Sequence, residues 1–184
     1  MIKEEEAIVL DYLPNGYAGM RRPEPIVQAI GKRYYILLEL VPKEDAKIKI
    51  GDTVYIGEDK RDVIRYIRGR LTPEQLTNMA SSELQEVITE MVKKDEKRFI
   101  NFFNKAGPIT PRLHQLELLP GFGRKHLSDL LEQRRQKEFE SFEDLKKRVK
   151  LLPDPVKAIV KRIVMELSGE EKYHIFVPKT TSRY

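Results

Sequence analysis

The sequence predicts an α+β protein: a small β-barrel over residues 1–71, followed by an all-α part built on two related helical hairpins. Three observations carry this reading. The first third consists of short runs rich in β-branched and aromatic residues, separated by turn signals. The apolar spacing changes to a helical period at Thr72. Two Leu-Pro segments, Leu118-Leu119-Pro120 and Leu151-Leu152-Pro153, recur 33 residues apart, each ahead of an amphipathic run.

The β runs are Ala7–Leu13, Ile26–Ile30, Tyr34–Val41 and Thr53–Ile56, broken by Pro-Asn-Gly, Gly-Lys and Lys-Ile-Gly-Asp turns. Short strands at such close spacing suit a small barrel. Val63–Leu71 reads as either a further strand or a helix. Residues 72–106 read as connecting helices. Thr72-Pro73-Glu74-Gln75 is one helix start and Ser82 with Gln85 another. Leu84, Val87, Ile88, Met91 and Val92 form a helical apolar stripe. Phe99, Ile100, Phe102 and Phe103 continue it as core. Residues 107–169 hold the two hairpins, and Gly107-Pro108 marks their start. In residues 170–184, Tyr173–Val177 reads as a strand returning to the barrel, ahead of a loose tail from Lys179 to Tyr184.

The chemistry concentrates in Leu118-Leu119-Pro120-Gly121-Phe122-Gly123-Arg124-Lys125. Two glycines at this spacing allow a sharp turn with positive φ and no Cβ in the way. A helix follows at once, with Leu127, Leu130 and Leu131 at helical spacing, so its free N–H groups crowd the turn. That is an anion site, and Arg124 and Lys125 add charge where a phosphate would sit. The segment resembles the hairpin of the helix-hairpin-helix family, whose core is apolar-Pro-Gly-apolar-Gly-x-Lys. The resemblance implies a grip on nucleic-acid backbone with little sequence reading. The bland alternative is a Schellman-type turn between packed helices, without a ligand.

In the second copy, Leu127, Leu130 and Leu131 align with Val160, Ile163 and Val164. Each copy has a leading helix, the first starting at Thr110-Pro111 and the second at Ser141-Phe142-Glu143-Asp144. This is the layout of a tandem helix-hairpin-helix domain, and tandem copies of that family form one unit straddling a duplex minor groove. Asp154 and Val156 stand where the glycines would be, and Pro155 removes a donor. The second turn therefore reads as a phosphate contact or as a purely structural copy with Asp154 capping the last helix. Lys157, Lys161 and Arg162 read as added charge or as a solvated face.

The chain of 184 residues is 34% charged, with a formal net charge of +5. That balance leans toward an anionic partner. With no cysteine there is neither a disulfide framework nor a thiolate metal site. His114, His126 and His174 are scattered, without metal-ligand spacing, so no metal or cofactor is expected. No signal peptide or apolar span is evident, which implies a cytoplasmic protein without a membrane partner. His126 follows Lys125 and reads as a phosphate contact or as a plain surface histidine. Arg21 and Arg22, with Arg61, Arg65, Arg68 and Arg70, are candidates for a basic rim of the barrel. Tyr12, Tyr17, Tyr34, Tyr35, Tyr55 and Tyr66 are candidates for base stacking or for core.

Ile48-Lys49-Ile50-Gly51-Asp52-Thr53-Val54-Tyr55-Ile56-Gly57 resembles the Gly-Asp-x-Val turn and strand common in oligonucleotide-binding (OB) and related small barrels. Across nearly its whole length the chain resembles an uncharacterised archaeal family regarded as nucleic-acid-binding. The resemblance rests on Asp11-Tyr12-Leu13-Pro14, Val54-Tyr55-Ile56-Gly57, Phe102–Ala106, Arg112–Gly121 and Phe139–Asp144. It implies an OB-like barrel joined to a tandem helix-hairpin-helix domain. It also implies RNA rather than DNA as ligand, with ribosomal or RNA-processing proteins as neighbours, and supplies no catalytic residue. Asp144 lies 21 residues past Gly123, near where some hairpin-bearing DNA glycosylases carry a catalytic Asp. Phe142-Glu143-Asp144-Leu145 does not resemble their segment and suits a capping box better. The reading is a non-enzymatic nucleic-acid-binding protein that uses Gly121, Phe122, Gly123, Arg124, Lys125, His126, Lys157, Lys161, Arg21 and Arg22. Its rivals are a protein-interaction module and a DNA-binding repair or processing factor.

Overall fold

A computed structural model describes residues 2–179, so the tail expected to Tyr184 lies, from residue 180 on, outside the described residues. The architecture is mixed α+β: a curled five-stranded antiparallel sheet and five α-helices. Internal contacts divide the chain into two compact units, one up to Val87 together with the residues from Met165 on, the other Ile88–Val164. The divisions fall inside two helices, not at the boundaries read from sequence. No helix among the described residues is long and apolar enough to cross a membrane.

In the first unit, strands β1 (Glu6–Leu13), β2 (Ile26–Gly31), β3 (Leu37–Pro42), β4 (Thr53–Tyr55) and β5 (Ile64–Arg70) take the order β4-β1-β2-β3-β5. The ambiguous Val63–Leu71 run is thus a strand. Register shifts interrupt β1 between Val9 and Asp11, and the β3–β5 pairing twice. Such bulges bend and twist a strand, which curls the sheet. Alternate residues Ala7, Val9, Val27, Ala29, Leu38, Leu40 and Val54 bury on one face with Ile36, Ile56 and Ile64. Asp52 accepts the Lys49 N–H at 2.9 Å, and Gly51 takes φ +90°, so the Gly-Asp pair forms the turn that feeds β4.

The third strand starts at Leu37, later than the Tyr34 expected. Residues 32–36 wrap instead around the buried Glu4 carboxylate, which accepts N–H groups from Arg33 (2.9 Å), Tyr34 (2.7 Å) and Ile36 (3.4 Å). Buried Tyr35 is held there at φ +59°. Thr72 begins only a single 3-10 turn, Pro73–Gln75, and the helix proper, α1, spans Asn78–Lys94. Ser82 lies inside it. The true cap is Thr77, whose hydroxyl accepts the Ala80 N–H at 3.1 Å and donates to Asp11 at 2.6 Å. Buried Gln28 ties this region to the sheet: its amide donates to Gln75 C=O (3.0 Å) and accepts from Thr77 N–H (2.8 Å).

Residues 173–177 form no strand. The buried Glu166 carboxylate accepts the N–H groups of Ile175 (2.7 Å), Phe176 (2.9 Å) and Val177 (2.7 Å). Three consecutive donors turned toward one side chain are not available to a sheet ladder, which needs them to alternate.

The second unit contains the end of α1, then α2 (Glu96–Lys105), a two-stranded hairpin of β6 (Pro108–Thr110) and β7 (Leu113–His114), α3 (Arg124–Gln136), α4 (Phe142–Arg148) and the greater part of α5 (Pro155–Leu167). Thr110-Pro111 does not start a helix; Pro111 and Arg112 make the β6–β7 turn. The element that leads into the first Leu-Pro turn is a 3-10 turn, Gln115–Leu118, capped by His114. Nδ1 of His114 accepts the Leu116 N–H at 3.1 Å. Burial, with the charge of Arg134, pulls the pKa of His114 below its ordinary value. Arg134 donates to Phe103 and Ala106 C=O at the end of α2 (3.1 and 2.7 Å). Arg148 donates to Gln133 and Lys137 C=O at the end of α3 and stacks 4.6 Å over Phe139. Asn104 exchanges two hydrogen bonds with the Phe139 backbone (2.9 and 2.7 Å), pairing it as a neighbouring strand would.

Removing the Glu4 carboxylate should leave three loop donors short of an acceptor, at a cost of about 3 kcal/mol. A Cβ on Gly31 would collide with the same carboxylate. Urea unfolding, followed by tyrosine fluorescence because the chain has no tryptophan, should therefore show both Glu4→Ala and Gly31→Ala destabilised. Gly31→Ala should cost about 1–2 kcal/mol less in the Glu4→Ala background; additive losses would mean that the two residues do not share one site.

Candidate nucleic-acid interface

The first turn is built by Leu119-Pro120-Gly121-Phe122, closed by the Phe122 N–H donating to Leu119 C=O at 3.0 Å. Proline presets the second position, and the third requires positive φ, which Gly121 supplies at +85°. Gly123, by contrast, is extended (φ −94°, ψ −176°), a conformation open to any residue. The expectation of two left-handed glycines therefore holds at Gly121 alone. What Gly123 contributes is space: a Cβ there would meet no heavy atom within 4 Å, so the turn is open to an approaching group. A Cβ on Gly121 would meet the Pro153 ring at 3.3 Å, which places the two turns in contact. Phe122 is buried, its ring 6.1 Å from those of Phe103 and His126. It anchors the turn in the core, and its side chain is not presented to a ligand.

Gly123 is the N-cap of α3, and no side chain caps this helix through a hydrogen bond from N-cap oxygen; glycine has none to offer. The N–H groups of Arg124, Lys125 and His126 accordingly lack intrahelical partners. Arg124 and Lys125 are exposed, and the first turn carries no acidic residue to compete with an anion for the positive helix end. The His126 ring is committed elsewhere. Its Nδ1 accepts the Gly123 N–H at 3.3 Å, which leaves Nε2 to carry the hydrogen donated to Leu151 C=O at 3.0 Å. His126 clasps the two turns together, and its ring is not a free phosphate donor.

The second turn is chemically different. Asp154 precedes Pro155, and its Oδ1 accepts the N–H groups of Val156 (2.9 Å) and Lys157 (3.2 Å). The donors that the first turn leaves open are here filled by the protein's own carboxylate. α5 starts 31 residues after α3, not the 33 of the sequence alignment, because Asp154 with Pro155 begins the helix earlier past its Leu-Pro pair. Lys157 and Lys161 are exposed, whereas Arg162 is buried and directed to Leu118 C=O at 3.4 Å. The Asp144 carboxylate is occupied as well. It accepts the Glu140 N–H and pairs with Arg148, and these hold its pKa below the usual carboxylate value.

On the first unit, Arg21 and Arg22 are exposed in a loop turned by left-handed Gly16 and Gly19. Arg65 is exposed and lies 6.0 Å over the ring of Tyr66, itself 38% exposed. Arg68 pairs with Glu24 and Glu39, and Arg61 donates to Gly57 C=O. Tyr35 is core, Tyr17 accepts from Gln28, and Tyr55 bonds Asp59. Tyr12 and Tyr34 pack partly buried against the sheet core, and Tyr66 is the exposed member of the six, its hydroxyl bonded to Glu24. The clasp by His126 had no sequence signal, because it depends on Leu151, a residue 25 positions away.

Residues 3–178 match the model of a family described as protein of unknown function (DUF655). The chain is 47% identical over 176 residues to the uncharacterised protein MJ0038 of Methanocaldococcus jannaschii, over 95% of this chain and 80% of that one. It is also similar to the crystal structure of Af1531 from Archaeoglobus fulgidus, described under the same family. The TM-score is 0.87 at 42% identity, covering 95% of this chain and 100% of that one.

The two glycines should separate in stability measurements. Gly121→Ala forces a side chain into the left-handed region, at about 1–2 kcal/mol, and presses on Pro153. Gly123→Ser should leave stability unchanged or raise it by a few tenths of a kcal/mol, since serine is a good N-cap. Equal thermal destabilisation by both would contradict this division of roles.

Proposed function

We propose that this chain, which belongs to the DUF655 family, is a non-enzymatic nucleic-acid-binding protein that grips a backbone phosphate at the start of α3. The observation that carries the reading is the uncapped helix start behind Gly121-Phe122-Gly123. It combines N–H groups without intrahelical partners, open space at Gly123 and two exposed cations, Arg124 and Lys125, in the first turn. The grip reads charge and backbone, not base sequence. A tandem helix-hairpin-helix arrangement accounts for the paired turns, in which the second copy is structural: Asp154 fills its own donors and would repel a phosphate. Lys157 and Lys161 add to the general field of the helical unit.

The curled sheet supplies a second contact in this reading, in the manner of an OB-like barrel. Arg21, Arg22 and Arg65 would contact backbone, and the Tyr66 ring would take an unpaired base. RNA is favoured over DNA by the family resemblance, with ribosomal or RNA-processing proteins as neighbours.

Fluorescence anisotropy against labelled RNA and DNA at several salt concentrations tests the proposal. With roughly three to five phosphate contacts, log K should fall against log salt with a slope of about −2 to −5. Arg124→Glu with Lys125→Glu should cost at least about tenfold and lower the slope by about 1 per lost contact. Lys157→Glu with Lys161→Glu should cost less, with folding checked by circular dichroism. A flat salt response would sink the nucleic-acid reading and favour a protein-interaction module; equal losses from the two pairs would sink the asymmetry.

A further inference from the structure

The curled sheet ends on two unequal edges, three residues of β4 on one side and seven of β5 on the other. Among the described residues, the backbone of β5 bonds only that of β3. The N–H and C=O groups on its outer side therefore have no backbone partner. A long free edge invites unwanted pairing, and natural sheets blunt it with charge and bulges. β5 has both: two register shifts against β3, and the exposed Arg65 and Arg68. The loop that carries exposed Arg21 and Arg22 meets β5 through Glu24, whose carboxylate accepts the Tyr66 hydroxyl at 3.2 Å and pairs with Arg68 at 3.7 Å. Glu39 lies 3.4 Å from the same Arg68. Both carboxylates thus answer one arginine, and Arg21, Arg22 and Arg65 leave this surface positive.

The physical chemistry of the edge narrows its occupant. A strand edge alternates donors and acceptors, and a neighbour must match them at a spacing of about 4.8 Å. Phosphates only accept, so a nucleic-acid backbone leaves the carbonyls of the edge unanswered; an extended peptide answers both. A second copy of β5 would set arginine against arginine, which disfavours pairing. The β4 edge of a second copy offers three residues only. What fits is a strand with acidic side chains beside Arg65 and an apolar one beside the Tyr66 ring, which is 38% exposed.

We propose that the outer edge of β5 is a docking site for an acidic, extended segment of a partner protein, which adds to the five-stranded sheet as a further strand. This goes beyond the phosphate-gripping reading and does not rest on it. Main-chain bonds hold the added strand, and cross-strand pairs of opposite charge select it. Arginines of one sign bar self-pairing and admit a strand of the other sign.

The test uses the full chain with a short, blocked, fluorescein-labelled peptide of alternating valine and glutamate. One companion peptide has lysine for glutamate. A second carries N-methyl groups on its backbone amides, which keeps the charge and removes the donors. Each companion should bind at least about tenfold more weakly by anisotropy. Hydrogen exchange should slow over residues 64–70 when the glutamate peptide is added, and stay unchanged over residues 53–55. Arg22→Glu with Arg65→Glu, its fold checked by circular dichroism, should reverse the preference toward the lysine peptide. Should that variant lose its fold, the three peptides on the unaltered protein still decide. Equal binding of the N-methylated peptide would overturn strand addition, because charge alone would then suffice. No binding of the glutamate peptide, no slowing over residues 64–70, or a folded variant that keeps the acidic preference would each overturn the site. A short single-stranded RNA that slowed exchange there where the peptide did not would overturn it in favour of nucleic acid.

Discussion

Wherever a helix or strand stops, backbone N–H and C=O groups lose their regular partners, and a folded chain must pair those that it buries. Much of this protein's irregular structure is an answer to that constraint. Glu4 gathers three N–H groups of the loop before β3, and Glu166 gathers three from residues 175–177. A buried carboxylate is costly to desolvate, and hydrogen bonds from several donors offset that cost. In the helical unit the same task falls to arginines, which close helix C-termini with charges the helix dipole favours: Arg134 on α2 and Arg148 on α3.

The start of α3 differs from those of the two helices that follow it. α4 has Ser141 and α5 has Asp154, each with a side-chain oxygen on the helix's first N–H groups. α3 has glycine, which satisfies nothing, and two exposed cations follow it. The tight turn makes Gly121 obligatory, but backbone conformation does not explain glycine at 123. A Cβ there would meet no heavy atom within 4 Å either. The net charge of the chain conceals this sorting. Arg134, Arg148 and Arg162 serve the protein's own carbonyls, while Arg124, Lys125, Lys157 and Lys161 face solvent.

The His126 clasp connects the sorting to the geometry of the turns. One imidazole uses both nitrogens on backbone, one in each turn, and so ties their separation to a ring's width. Its packing on Phe122, itself against Phe103, carries that spacing into the core of the helical unit. A turn held this firmly keeps its N–H groups in place without further ordering.

By itself the sequence determined the local chemistry. Alternating β-branched runs specified four strands, the switch to helical spacing marked the helical part, and Pro-Gly-Phe-Gly-Arg-Lys located the exposed helix start. Ser141 as a cap and Asp154 as the second turn's own ligand were also legible, because capping acts over three or four residues. Where the outcome depended on distant partners, local signals misled. Thr110-Pro111 has the composition of a helix start, yet pairing of β6 with β7 makes it a hairpin turn. Tyr173–Val177 has strand composition, yet its donors go to Glu166, a residue that nothing local marks as an acceptor. The tertiary structure alone decided that His126 would bond both turns, that Arg162 would be buried, and that Leu151 would stand exposed in a left-handed conformation. Each of these depends on a partner from another turn, and the physical reason is the same: hydrogen-bond valence is satisfied by whatever group is near in space, which spacing along the chain does not record.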